Sequence, residues 1–165
     1  PRGKLLGGSS ALNAMVYIRG HAQDFDRWHA EGATGWHYQN VLPYFKRSET
    51  YSKGADAFRG GDGPLYVSSK ISENELFDAF IAAGIEAGYP KTDDVNGASQ
   101  EGFGRFDMTI HRGRRHSAAA AYLSPDVMLR TNLFCRTRAH VTKILLDKQR
   151  ATGVEFLQDG KLKRC

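Results

Sequence analysis

The sequence predicts a mixed α and β protein, and three patterns support that prediction. Apolar residues recur at helical spacing between residues 73 and 87. Short stretches with the alternation and β-branched content of strands fill much of residues 133–157, and the polar joints between them are typical of a meander. The chain has 18 glycines among its 165 residues, many of them in loops between these stretches, and it contains no internal repeat.

Helices are predicted where apolar periodicity coincides with suitable end residues, in five segments: 11–18, 23–29, 38–49, 73–87 and 117–123. Ser9 and Ser10 stand where the N-cap of the first segment belongs, and Ser117 caps the last. Pro43 restricts the third segment to a first-turn start or a kink, because proline lacks an N–H and clashes with the preceding turn. Gly88 is a natural stop for the fourth.

Strands are predicted where short apolar or alternating stretches lie between turn residues: 65–67, 103–111, 133–138, 141–146 and 153–157. The polar joints at residues 147–150 and 158–160 suit tight connections within a meander. Residues 51–63 contain four glycines, so we expect a loop that covers a surface or joins two bodies.

Charge and hydropathy limit the possible partners. The formal net charge is +5, with Lys and Arg densest at residues 112–115 and 143–164, but acidic residues are interspersed. Because like charges do not form a run and aromatics do not alternate with them, we expect a solvated basic surface and no nucleic-acid partner. No stretch approaches the roughly 20 apolar residues that a membrane span requires, so the chain is expected to be soluble or peripheral to a membrane.

Neither cysteines nor histidines predict a metal site. Cys135 and Cys165 lack the CxxC spacing of zinc ligands and are too few for a disulfide framework. The histidines do not form a cluster in the sequence and are expected to be surface or packing residues: His21, His29, His37, His111, His116 and His140. The chain begins at Pro1 and ends in a strand-like pattern, from which we expect an internal piece of a longer protein.

The segment most suggestive of chemistry is the loop around Gly7 and Gly8. Glycines lack the Cβ atom that would keep a ligand away from the main chain, and they allow a positive φ. Ser9 and Ser10 would start a helix whose free N–H groups favour an anion such as a phosphate, and Asn13 adds an amide one turn later. Glycine and serine also make flexible linkers, although apolar residues on both sides of this loop are unusual for a linker.

A family resemblance starts in the same loop. Residues 3–20, GKLLGGSSALNAMVYIRG, resemble the first signature of the glucose-methanol-choline (GMC) oxidoreductases, which are FAD-dependent alcohol oxidases and dehydrogenases. Further stretches are similar to the same family: WHY and LPYF within 36–45, GDGP at 61–64, DDVNG at 93–97 and QEGFG at 100–104. DMTIH at 107–111 and SAAAAYL at 117–123 are most similar to its choline-oxidising branch.

The resemblance implies FAD as the cofactor and a set of positions that contact it. Gly7, Gly8, Ser9 and Ser10 would lie beside the pyrophosphate and ribityl chain. The following four contacts would run past the isoalloxazine edge, where main-chain N–H groups stabilise the charge of the reduced flavin: Asn13, Ala14, Met15 and Val16. Val141 would contact the adenine through its main chain.

The resemblance also implies a domain organisation. Residues 1–50 would belong to the FAD-binding domain, 51–130 mostly to the substrate-domain scaffold, and 131–165 to a β-meander of the FAD-binding domain. The GxGxxG fingerprint and the catalytic histidine with its partner do not occur in the chain. We therefore expect no catalytic residue in it and no activity from the segment alone.

Three functions are compatible with these residues. The first is oxidation of choline to betaine aldehyde, with hydride passing to FAD and electrons to an acceptor other than a pyridine nucleotide. The second keeps the family but replaces choline with an aliphatic or aromatic alcohol. The third is a basic module that binds phosphate or nucleic acid through Gly7–Ser10. For an animal choline-oxidising enzyme the resemblance implies the mitochondrial inner membrane, and otherwise a cytoplasmic or membrane-associated location.

Overall fold

The computed structural model describes residues 2–69 and 74–165 and confirms the mixed α and β class. The chain divides into two compact units, Pro1–Ser124 and Pro125–Cys165. The first unit contains residues 7–16, here called the glycine-serine loop, and most of the helices. The second unit is built around a three-stranded sheet. Among the described residues, no helix combines the length and the apolar character needed to cross a bilayer.

The described residues form five helices: α1 Ala22–Ala30, α2 Tyr38–Ser48, α3 Glu75–Glu86, α4 Ala118–Tyr122 and α5 Pro125–Met128. The first four confirm predicted segments, and α2 continues through Pro43. Side chains of His21, Asn74 and Ser117 accept hydrogen bonds from the first turns of α1, α3 and α4, which is why these helices begin where they do. Glu73, which belongs to the fourth predicted segment, lies outside the described residues.

Within residues 2–69 and 74–165, nine short strands form four small sheets: β1 Val16–Tyr17, β2 Glu49–Tyr51, β3 Leu65–Val67, β4 Asp107–Met108, β5 Ile110–His111, β6 Arg114–Arg115, β7 His140–Asp147, β8 Arg150–Gln158 and β9 Lys161–Arg164. In the first unit, β1 pairs antiparallel with β4, β2 pairs parallel with β3, and β5 pairs antiparallel with β6. In the second unit β7, β8 and β9 form an antiparallel meander. The meander confirms the predicted strands at 141–146 and 153–157.

The predicted helix at 11–18 is wrong. A four-residue 3-10 turn, Gly8–Ala11, is followed by an extended segment in which Val16 and Tyr17 pair with Met108 and Asp107. Met15 has φ 64°, which a right-handed helix does not allow. The strand pairing therefore overrides the local helical pattern.

Two strand predictions also need correction. Residues 103–111 contain two separate two-residue strands, β4 and β5, which pair with different partners. Residues 133–138 form no strand; no described segment pairs with them, and Arg138 takes φ 53°. The strand β9, Lys161–Arg164, lies outside the five predicted strand segments, although the strand-like pattern at the end of the chain agrees with it.

The first unit is held together by packed aromatic rings and by buried charge. Phe25 is buried, and its ring lies 5.3 Å from that of Trp28 and 5.7 Å from that of Phe45. Trp28 also contacts Trp36 edge-on at 5.8 Å. These ring contacts pack the aromatic side chains against one another, although Trp28, Trp36 and Tyr44 remain exposed to solvent.

Candidate functional site

The glycine-serine loop, residues 7–16, has an unusual main-chain conformation. Gly7 and Gly8 have φ of 89° and 54°, which L residues adopt only at a cost. A Cβ on Gly7 would lie 3.2 Å from the main-chain nitrogen of Ala119, so this glycine permits close packing against α4. At Gly8, no described atom lies within 4 Å of the Cβ position. The main chain at Gly8 therefore faces open space.

The hydroxyl of Ser10 joins this loop to the start of α4. It donates a hydrogen bond of 2.5 Å to the carbonyl of Gly7 and accepts one of 2.8 Å from the N–H of Ala118. The first N–H groups of a helix lack partners within the helix, so Ser10 satisfies one of them. Ser10 is thereby fixed by the fold, while Ser9 remains exposed.

Asn13 and Met15 form a second fixed turn in the loop. The side-chain oxygen of Asn13 accepts a 3.0 Å hydrogen bond from the N–H of Met15. The N–H of Thr109, the residue before β5, donates a 2.8 Å hydrogen bond to the carbonyl of Met15. Met15 has a positive φ of 64°. In a non-glycine residue this conformation costs of the order of 1–3 kcal/mol of stability and persists where its surroundings fix it, often at functional sites.

The N–H groups of the loop are largely used within it. Those of Leu12 and Asn13 donate to the carbonyl of Ser9, and that of Met15 donates to Asn13. Ala14 is exposed, and its N–H has no hydrogen-bond partner among the residues that the structure describes. Ala14 therefore offers a main-chain donor to a ligand.

Arg115 on β6 contacts the same loop from a distant part of the sequence. Its Nη1 donates to the carbonyl of Asn13 at 2.6 Å, to Oδ1 of Asn13 at 3.0 Å and to the carbonyl of Ser10 at 3.3 Å. The charge pattern of the sequence predicts a solvated surface for the basic residues 112–115. That interpretation fits the exposed Arg112 and Arg114, but it is wrong for the half-buried Arg115.

The first unit also contains a buried ion cluster. The guanidinium of Arg59 contacts Glu49 at 3.0 Å, Asp94 at 2.7 Å and Asp107 at 2.8 Å, and Arg19 contacts Glu49 at 2.5 Å. Burial by itself would lower the pKa of Arg59, but the hydrogen bonds that it donates to Asp107 and Glu49 outweigh burial and raise this pKa above its ordinary value. Arg59 is therefore a permanent cation, which joins the three carboxylates.

The DDVNG motif at 93–97 connects this cluster to the end of the loop. The side chain of Asn96 accepts a 2.7 Å hydrogen bond from the N–H of Arg19 and donates one of 3.1 Å to the carbonyl of Tyr17. Arg19 is thus a buried structural residue. The motif fixes the segment that follows β1.

The structure brings the predicted contacts of residues 7–16 together as one continuous loop, whereas Val141 belongs to the second unit. Val141 lies on β7, an edge strand of the three-stranded sheet, and its side chain is 51% exposed. An edge strand has main-chain groups without a partner strand on one side. This position is suitable for a main-chain contact with a ligand.

Two histidines lie beside β3. The Nδ1 atom of His116 accepts a 2.9 Å hydrogen bond from the N–H of Tyr66, and the ring of His111 lies 5.6 Å from that of His116. Burial lowers the pKa of His116, and the neighbouring His111 lowers it further. Within the described ranges no cluster of His, Cys, Asp and Glu could hold a metal ion, and both cysteines are free and exposed.

Comparison with known proteins gives consistent results. The GMC oxidoreductase family model matches residues 1–165. The chain is 53% identical over 161 residues to the mitochondrial choline dehydrogenase of Mus musculus, and 53% identical over 167 residues to the oxygen-dependent choline dehydrogenase of Vibrio vulnificus (strain YJ016). These alignments cover 98% and 100% of the chain but only 27% and 30% of the two relatives.

The fold of a solved structure agrees with these sequence matches. The crystal structure of pyridoxine 4-oxidase from Mesorbium loti superimposes with a TM-score of 0.90 at 33% identity, covering 99% of this chain and 32% of that protein. The resemblance inferred from residues 3–20 is therefore confirmed over the full length of the sequence. The chain belongs to the GMC oxidoreductase family.

Proposed function

We propose that this chain is a segment of an FAD-dependent enzyme that oxidises choline to betaine aldehyde. The observation that carries the proposal is the open space beside the main chain at Gly8 in the glycine-serine loop. The relatives of the chain include choline dehydrogenases. FAD supplies the hydride-accepting chemistry when it is bound. The role of this segment is to hold and orient the cofactor.

The residues of the loop fit a dinucleotide. A ligand can approach the main chain at Gly8 because no side chain occupies that space, and we propose that Gly7, Gly8, Ser9 and Ser10 lie along the pyrophosphate and ribityl chain. The sequence predicts a helix start here, but the structure has a single 3-10 turn, which cannot supply the dipole of a long helix. Close approach of the ligand to the main chain at Gly8 would provide the contacts.

Residues 13–16 are proposed to run past the isoalloxazine edge. Asn13 and Met15 fix the turn, and the N–H of Ala14 has no hydrogen-bond partner among the described residues. A main-chain donor held in place before the reaction stabilises negative charge that develops on a bound group without further reorganisation. Val16 is the first residue of β1, and the pairing of β1 with β4 fixes this end of the loop.

For the adenine we propose a main-chain contact at Val141. The support is its position on the edge strand β7. Such a contact requires only that the side chain be compatible with a strand. The proposed domain organisation, 1–50 and 131–165 with FAD and 51–130 with the substrate scaffold, follows from the same assignment.

The substrate proposal has one competitor within the family. The structural match to pyridoxine 4-oxidase favours considering an aromatic alcohol as the alternative substrate. The named relatives include a mitochondrial protein and a bacterial one. We propose a mitochondrial inner-membrane location for an animal enzyme and a cytoplasmic or membrane-associated location otherwise.

Purification of the full-length protein in native form tests this proposal. We expect flavin absorbance in the visible range and reduction of an artificial dye that depends on choline. Turnover of choline is compared with that of a straight-chain alcohol and an aromatic alcohol at equal concentrations. A protein without flavin contradicts the cofactor assignment, whereas a flavoprotein that prefers another alcohol contradicts only the substrate. Tight DNA binding that decreases steeply with salt would instead support the phosphate-binding alternative.

A further inference from the structure

Arg115 makes all of its hydrogen bonds to the glycine-serine loop through one nitrogen atom. The three acceptors of Nη1 are two main-chain carbonyls, of Ser10 and Asn13, and the side-chain oxygen of Asn13. Arg115 and Asn13 are 102 residues apart in the sequence, so this contact connects β6 to the loop directly. One positively charged group thus donates hydrogen bonds to three oxygen atoms of the loop.

The contact also reaches the unusual main chain at Met15. Oδ1 of Asn13 accepts from both Arg115 and the N–H of Met15, each at 3.0 Å. Without Arg115, Asn13 could rotate away and release the N–H of Met15. The positive φ of Met15 would then lose one of the contacts that maintain it. The orientation of Ala14 depends on the same turn.

The charge of Arg115 is not neutralised by a carboxylate. None of the ion pairs in the described part of the chain includes Arg115, although Arg19, Arg59 and Arg164 all have acidic partners there. Arginine remains protonated at all physiological pH values. Its positive charge therefore acts on the loop and on a group that binds against the loop.

We propose that Arg115 is a positioning residue of the flavin site. It fixes the turn at Asn13–Met15, and its unpaired charge favours the negative charge that the cofactor gains on reduction. The inference rests on the proposed function, since it concerns the same loop. It adds to that function a residue from outside the loop that controls flavin retention and redox potential.

The test uses the full-length holoenzyme with Arg115→Met and Arg115→Lys. Methionine removes the donor and the charge but keeps much of the side-chain length. Lysine keeps both, and a single ammonium has three N–H groups for the three acceptors. Arg114→Met is the matched control, because Arg114 is on the same strand, is exposed, and its side chain has no hydrogen bond or ion pair within the described residues.

For Arg115→Met we expect roughly tenfold weaker flavin retention, because hydrogen bonds to a charged donor are lost. We also expect a lower midpoint potential and a decrease in kcat that exceeds any change in KM. Hydrogen–deuterium exchange of residues 7–16 in the flavin-free protein should increase. Arg115→Lys should restore most of these properties, and Arg114→Met should match the wild type.

Two results would overturn the proposal. One is wild-type retention, potential and exchange in Arg115→Met. The other is equal loss in the Lys and Met variants together with an equal fall in melting temperature, which indicates a role only in stability. A wild-type protein that never contains flavin would refute the proposed function instead, and the exchange measurement would still show whether Arg115 fixes the loop.

Discussion

The guanidinium of Arg59 lies 3.0 Å from the carboxylate of Glu49, and neither side chain is exposed to solvent. Glu49 also contacts Arg19 and accepts a 2.9 Å hydrogen bond from the N–H of Gly60. Because Glu49 is the first residue of β2, the contacts connect that strand to two separate loops. A buried charge of this kind is stable only while its partners remain.

Replacing Glu49 by Gln should strongly destabilise the protein. The amide keeps the shape but removes the negative charge that balances Arg19 and Arg59, which are both buried. Breaking a buried ion pair by removing one partner costs about 3–5 kcal/mol. The measurement is the free energy of unfolding of the first cooperative transition in denaturant, with the holoenzyme as sample.

The matched control for this prediction is Glu31→Gln. Glu31 pairs with Arg27 at 3.9 Å, but both side chains are more than 60% exposed. Exposed pairs contribute about 0–1 kcal/mol, so this variant should unfold almost like the wild type. Equal stability of the two variants would show that the buried cluster contributes little.

Local sequence patterns predicted most helices because the relevant information is local. The spacing of Leu76, Phe77 and Phe80 and the cap at Asn74 are sufficient to specify α3. The helix predicted at 11–18 failed because the pairing of Val16 with Met108 depends on a residue more than 90 positions away. Propensity is a weak guide where tertiary pairing competes with it.

A similar limit applies to the candidate site. Gly7 and Gly8 were identified from the sequence because a glycine pair has a direct conformational meaning. Arg115 was assigned to the surface, since nothing in the local sequence indicates that it reaches Asn13. The adjacent Ser117, which caps α4 beside the loop, was the one local signal that this segment has a fixed position.

Gly8→Ala should weaken flavin binding while largely preserving the fold. The φ of 54° is accessible to alanine at roughly 1 kcal/mol, and the methyl group meets no described atom within 4 Å. It would instead occupy the space proposed for the cofactor. The measurement is the flavin-to-protein absorbance ratio after gel filtration of the full-length protein.

Gly160→Ala provides the control for Gly8→Ala. Gly160 also has a positive φ, 72°, and open space around it, but it lies in the turn between β8 and β9. Its flavin content should equal that of the wild type. A similar loss of flavin in both variants would indicate general destabilisation and contradict a specific effect at Gly8.

Acid should destabilise the protein in part through His116. Its pKa in the folded protein is below the ordinary value of 6.5, so the unfolded chain binds more protons between the two values. The stability from the neutral ring is fully present above 6.5 and is lost as the pH falls towards the folded pKa. We expect the melting temperature to decrease as the pH falls through this interval.

His116→Asn tests this assignment. The side-chain oxygen of asparagine can replace Nδ1 as acceptor for the N–H of Tyr66, but it does not titrate. The melting temperature of the variant should depend less on pH below about 6.5 than that of the wild type. Identical pH profiles would assign the acid sensitivity to other groups.

Val141→Pro should reduce flavin retention if the adenine contact uses the main chain. Proline removes the N–H of residue 141, whereas Val141→Ala changes only the exposed side chain. We therefore expect flavin loss in the proline variant and nearly normal flavin content in the alanine variant. Because Val141 pairs with Phe156 in the meander, circular dichroism must first establish that both variants keep their strand content. With strand content intact, normal flavin in Val141→Pro would contradict the main-chain contact, and equal loss in both variants would assign the contact to the side chain.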